Sequence, residues 1–188
     1  MKLEFKRKKI KLSRQMILYS LGGLLIICLL FLLFSNPSNI SAQAMEEMKA
    51  MSVKIHESFR QKPDYWGLSN DYIIKNQLAP KEAVRGDKII SLTGAQIFVG
   101  SGEDGYMAMP GSQSFDIVYK GLSRKNCVIL SSYNLDYMEK LGLLSLTIKN
   151  AKESKEFSWG GENKLPVDIA DAKDACMSSN NTIIWTFK

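Results

Sequence analysis

Residues 40–60 read ISAQAMEEMKAMSVKIHESFR, and this stretch decides the architecture. Met45, Met48, Ser52, Ile55 and Phe59 recur at three- and four-residue spacing, with polar residues between them. That is one face of an amphipathic helix running from Ile40 to Arg60. Ser38 or Asn39 stands where a cap is expected, and Pro63 and Gly67 lie beyond the far end. The methionines read as a core-facing stripe; the rival reading is a copper-binding cluster of thioethers.

Working towards the N-terminus, residues 16–34 read MILYSLGGLLIICLLFLLF, without a charge. As a helix, 19 residues span about 28 Å, close to the roughly 30 Å hydrocarbon core of a bilayer. In front stand Lys2, Lys6, Arg7, Lys8, Lys9, Lys11 and Arg14 against Glu4 alone. Removing these seven and one from the chain's 25 basic and 19 acidic residues leaves equal numbers, so the whole net charge of +6 sits in this tail. The rest of the chain is neutral, and the basic balance does not point to nucleic acid. A basic tail before an apolar run stays cytoplasmic.

The expected organisation is therefore a cytoplasmic tail (1–15), a transmembrane helix (16–34), a linker (35–45) and an exported domain (46–188). Ser35-Asn36-Pro37-Ser38-Asn39 marks the break. The location is the inner membrane, single-pass, with the domain periplasmic and the lipid bilayer as a partner. A rival reading takes the same features as a secretory signal cut after Ala44. Both readings export the domain.

Working towards the C-terminus, Ser69–Gln77 reads as a short helix ended by Pro80. From Lys88 the pattern turns to strands: KIISL (88–92), AQIFV (95–99), SFDIVY (114–119), LLSLTI (143–148) and TIIWTF (182–187). Leu122–Tyr137 reads as a helix with Leu122, Asn126, Ile129 and Leu130 on one face. Ile169–Met177 reads as a short turn or helix. A helix followed by strands makes an α+β domain, with the amphipathic helix packed on an antiparallel sheet.

Little points to chemistry. His56 is the only histidine, so a histidine metal site or a Ser-His-Asp triad has little to draw on. The glycines of residues 100–105 lack the following Lys-Ser/Thr of a phosphate cradle. Asp168, Asp171 and Asp174 recur every three residues and read as a solvated helix face, a cation site being the rival. Trp66, Trp159 and Trp185 read mainly as packing, an adhesive surface being the rival. No catalytic residue, metal ligand or cofactor is assigned, and the chain is not read as an enzyme. Cys28 lies in the apolar run; Cys127 and Cys176 lie in the exported domain, where two cysteines read as one disulfide. It would close a loop of about 50 residues.

Several segments resemble the type IV pilins, specifically the type IVb, PilS-like branch of conjugative thin pili. Gln77-Leu78-Ala79-Pro80-Lys81-Glu82 is similar to the lead into the first strand. Ile90-Ser91-Leu92-Thr93-Gly94-Ala95-Gln96-Ile97 resembles a strand with a small element before the central sheet. Ser114 to Ser123, followed by Cys127, resembles the entry to the disulfide-bounded region, and Ala175-Cys176 with Asn180 to Phe187 resembles the family's ending. The resemblance implies a pilin-like fold and places Cys127 and Cys176 at the two ends of a bridged region.

The N-terminus departs from that family. A prepilin carries a glycine cleavage site and then a glutamate at the start of the apolar helix. Lys11-Leu12-Ser13-Arg14-Gln15-Met16 has no such glycine, and no Asp or Glu occurs from residue 5 to 45. The expected function is a membrane-anchored, pilin-like structural subunit or accessory component of a type IV pilus or a related secretion or conjugation apparatus. Its partners are then the protein subunits of an envelope complex. The alternative is a tethered periplasmic or surface ligand-binding domain outside any filament.

Overall fold

The apolar stripe of residues 45–59 lies buried along one helix, α1, Pro37–Phe59. Ser41, Ala44 and Met51 join Met45, Met48, Ser52, Ile55 and Phe59 on the buried face. The computed structural model describes residues 37–101, 108–135 and 137–188. The basic tail, the apolar run with Cys28, and most of the 100–105 loop lie outside them. Among the described residues no helix is long and apolar enough to cross a membrane. The expected linker is corrected from Pro37 on, because residues 37–45 are already helical. Ser38 and Asn39 are thus inside α1 and do not cap it; the burial of Ser41, Ala44 and Met45 holds this part in the helix.

Helix α2, Asn70–Lys75, is capped by Ser69, whose hydroxyl accepts from the Tyr72 N–H. It ends through Gln77, in the left-handed region at φ 55°, ahead of Pro80, which opens a short 3-10 turn, Lys81–Ala83. Strands β1 (Val84–Arg85), β2 (Lys88–Ile90), β3 (Gln96–Gly100) and β4 (Phe115–Leu122) follow. Then come helix α3 (Arg124–Ser131), β5 (Leu143–Lys149), β6 (Ser154–Ser158), helix α4 (Ile169–Ala175) and β7 (Asn181–Phe187).

All seven strands form one antiparallel sheet in the order β1-β2-β3-β4-β7-β5-β6. The last strand is therefore inserted between β4 and β5. Its register sets Phe187 opposite Phe115, Trp185 opposite Ile117 and Ile183 opposite Tyr119. On its other side Trp185 faces Leu146 and Ile183 faces Ile148. Successive side chains alternate between faces, so these rows form one apolar surface. Phe115 and Phe187 stack at 5.3 Å, and Tyr119 meets Trp185 edge-on at 5.0 Å. The Tyr119 hydroxyl donates to the Ala44 carbonyl, which ties this surface to α1.

Two irregularities keep the apolar side inward. The register of β5 shifts between Leu143 and Ser145, so Leu143 and Leu146 are both buried although three residues apart. The register of β4 shifts between Lys120 and Leu122, where Gly121 takes φ 89°. That bulge leaves Leu122 buried at the end of β4 and not on a helix. The expected 122–137 helix is shorter for this reason. Ser123 caps α3 by accepting from the Asn126 N–H, and the buried residues are Cys127, Leu130 and Ser131.

Candidate functional site

Cys127 and Cys176 are joined in a disulfide, with Cα atoms 5.8 Å apart and a sequence separation of 49. Both are fully buried. The bridge pins α3, which leaves β4, to the C-cap of α4, which leads into β7. The surrounding polar groups reinforce it. Ser131 Oγ donates to the Cys127 carbonyl at 2.8 Å. Asn150 donates to the Ala175 carbonyl at 2.9 Å, fixing the end of α4. Asn181, buried at the start of β7, donates to the carbonyls of Leu122 and Ser178. Chain from β4, α3, α4 and β7 thus converges on one cross-linked region.

The three aspartates near it are separated in role. Asp168 caps α4 by accepting from the Ala170 N–H at 2.8 Å. Asp171 pairs with Lys155 on β6 at 3.1 Å. Asp174 is exposed. They do not converge, and among the described residues no three His, Cys, Asp or Glu side chains stand close enough to hold a metal. The methionines of α1 are core, not a thioether surface.

The tryptophans also diverge. Trp185 is buried in the sheet, and its indole N–H finds no partner among the described residues. Trp159 is partly buried and donates to the Leu143 carbonyl at 2.8 Å. Trp66 is 62% exposed, while the backbones of Gly67 and Leu68 after it pair with Ala108. His56 is structural: Nδ1 lies 2.8 Å from the Ser52 carbonyl and Nε2 2.7 Å from that of Lys188. It fastens the end of α1 to the end of the sheet, and a neutral ring can donate to only one of these oxygens.

Two polar placements have no counterpart in the sequence reading. Asn70 on α2 donates to the Ile97 carbonyl and accepts from the Val99 N–H, each at 2.8 Å. Strand β2 pairs with β3 only at Gln96 and Ile97, so the amide stands in for the missing strand. Only the fold brings these residues together. Glu47 on α1 has one carboxylate oxygen buried without a partner among the described residues. Burial raises its pKa; a hydrogen bond from the Leu92 backbone works against that, and the charge of Glu82 adds to it. Tyr119 is pushed far up by burial, with Glu47 adding to it, so it remains a neutral donor.

The model of the Bundlin family matches residues 35–188, most of the chain. The chain belongs to the Bundlin family. No curated protein matches it in sequence. Solved structures extend the family result to the fold. TcpA, a type IV pilin from Vibrio cholerae El Tor biotype, is similar with a TM-score of 0.51 and 12% identity, over 78% of this chain and 99% of that one. A type IV b pilin from Salmonella typhi is similar with a TM-score of 0.50 and 15% identity, over 77% of this chain and 97% of that one. At these identities the likeness is one of fold. This Bundlin-family domain has the pilin-like α+β arrangement, an antiparallel sheet and a disulfide joining Cys127 to Cys176.

Proposed function

We propose that the chain is a membrane-anchored, pilin-like structural subunit or accessory component of a bacterial type IV pilus or a related secretion or conjugation apparatus. The observation that carries the reading is the family match over residues 35–188. Residues 16–34 are the anchor, the basic tail is cytoplasmic and the domain is periplasmic. The contribution of the domain is binding surface and not catalysis. Its partners are the bilayer and other protein subunits of the envelope complex.

One feature of α1 favours a retained anchor over cleavage after Ala44. Ala44 is fully buried, and its carbonyl accepts from Tyr119. Cleavage there would remove Ser41, also buried, and cut α1 inside its packed length. N-terminal sequencing of the membrane-bound protein tests this directly. A start before the apolar run is expected, and a start at Met45 would overturn it. A reporter fused after Lys188 should be active only outside the cytosol; cytoplasmic activity would overturn the topology.

A further inference from the structure

Three parts of the chain meet at His56, the single histidine of the sequence, near the end of α1. Its Nδ1 lies 2.8 Å from the Ser52 carbonyl in the same helix. Its Nε2 lies 2.7 Å from the main-chain oxygen of Lys188, just beyond β7. The Lys188 N–H in turn donates to the Gly142 carbonyl at 2.8 Å, just before β5. Gly142 takes φ 81°, and a Cβ there would stand 2.7 Å from the Lys188 oxygen and 3.4 Å from His56 Nε2. Only glycine lets these segments come so close. The ring packs against Phe115, Tyr65 and Phe187, with centroids 5.2, 6.2 and 6.3 Å away.

Both ring nitrogens thus face oxygens that can only accept. A neutral imidazole has one N–H and one lone pair. In either tautomer the lone pair would point at a main-chain oxygen no more than 2.8 Å away, which is repulsive. The two nitrogens belong to one rigid ring, so turning it to relieve one contact displaces the other. Only the imidazolium donates to both oxygens, and it makes both bonds charge-assisted, about twice as strong as neutral ones.

Two clefts, of about 400 and 360 Å³, border the ring and give water access to it. The charged groups around them are Glu57 and Arg60 of α1, Lys62 and Asp64 of the loop after it, Lys140 ahead of β5, and the Lys188 side chain. Four cations against two carboxylates oppose a further positive charge. All but Asp64 are exposed, however, and solvent and salt screen them, whereas the two acceptors touch the ring. None of these side-chain types ordinarily changes charge between about pH 5 and 8, and histidine does.

We propose that His56 is a proton-operated clasp: charged, it fastens α1 to the ends of β7 and β5; neutral, it lets that corner of the domain loosen. Whichever tautomer the neutral ring takes, one contact is lost and the other is no longer charge-assisted. The join is therefore strongest while the ring is charged and weakens as pH rises through its titration. The clasp belongs to the domain itself and does not depend on the proposed topology.

The test is NMR on the nitrogen-15-labelled full chain in neutral maltoside micelles between about pH 5 and 8. With one histidine in the chain, the ring signals are unambiguous. At the acid end both ring nitrogens should read as protonated. The Lys188 and Gly142 amide signals should then move with the same midpoint as the ring. Protection of the Lys188 amide, corrected for the intrinsic pH dependence of exchange, should fall about fivefold across that titration. H56Q cannot gain charge, so its corrected protection should not vary with pH. A ring that is neutral at the acid end, amides of Lys188 and Gly142 that ignore its titration, or a pH response kept in H56Q would each overturn the proposal. The first two comparisons use the parent chain alone and decide the matter even where H56Q does not fold.

Discussion

Asn70 shows how much one side chain can carry here. Its amide supplies both a donor and an acceptor to β3 where β2 has ended. Asn70→Ala leaves the Val99 N–H and the Ile97 carbonyl without these partners, which should cost about 2 kcal/mol or more in chemical denaturation. Asn70→Asp keeps the acceptor but loses the donor, so it should also destabilise. Parity of either variant with the parent would mean that water replaces the amide. Glu47 makes the opposite prediction. Its folded-state pKa is raised, chiefly by burial, above the ordinary value near 4.5. The folded state then binds protons more tightly than the unfolded chain, so stability falls as pH rises from the unfolded to the folded pKa. Above that window the buried charge is a constant cost. Glu47→Gln keeps an acceptor for the Leu92 N–H and should raise Tm at pH 7, with the advantage fading as pH approaches 4. An unchanged or lowered Tm at pH 7 would show that the carboxylate is stabilising where it sits.

At the scale of elements, the five strands with β-branched or aromatic runs were legible, each falling within two or three residues of its observed limits. The two strands not anticipated explain why others are hard to see. β1 is only Val84–Arg85, and β6 reads SKEFS with Phe157 as its sole large apolar residue. Both are edge strands, which need only one apolar contact row and carry charge outward. The 122–137 helix was overextended because Leu122 satisfies a helical spacing and a strand end equally well. The bulge at Gly121, which decides between them, leaves no periodic signal. The disulfide was legible because residues 35–188 hold just two cysteines, whereas the two contacts of Asn70 with β3 arise only through the packing of α2 on the sheet. The cross-link ties α3 to α4 over a long loop, worth about 4 kcal/mol in the loop-entropy account. Cys127→Ser should therefore cost about 2–5 kcal/mol, measured by denaturant unfolding under oxidising conditions. Both positions are fully buried, so the loss should appear in α3, α4 and β7 first, as faster amide exchange there than in β3. Equal exchange across the sheet would mean that the bridge stabilises the domain only globally.

For the whole molecule, the fold and the N-terminal sequence point in different directions. A pilin-like domain suits a filament, in which the resemblance expects a glutamate at the start of the apolar helix to meet a neighbour's amine. Here residues 5–45 contain no acidic side chain, and residues 11–16 contain no glycine at which a leader would be cut. An amine or a basic tail buried in a filament core without that partner is an uncompensated charge, and such burial costs several kcal/mol per ion. Under the proposed topology the same tail carries no such cost, because the positive-inside rule puts a basic flank on the cytoplasmic side. The expected behaviour follows from this difference. The protein should remain in the inner membrane at full length, present its α1-backed sheet and cross-linked α3–α4 region to a larger complex, and co-purify with that complex in detergent. Mass spectrometry of the purified material should recover peptides from the basic tail. Sheared surface filaments built mainly of this chain, with a mature N-terminus inside residues 16–34, would show that polymerisation proceeds without the glutamate and that the charge is neutralised by another group.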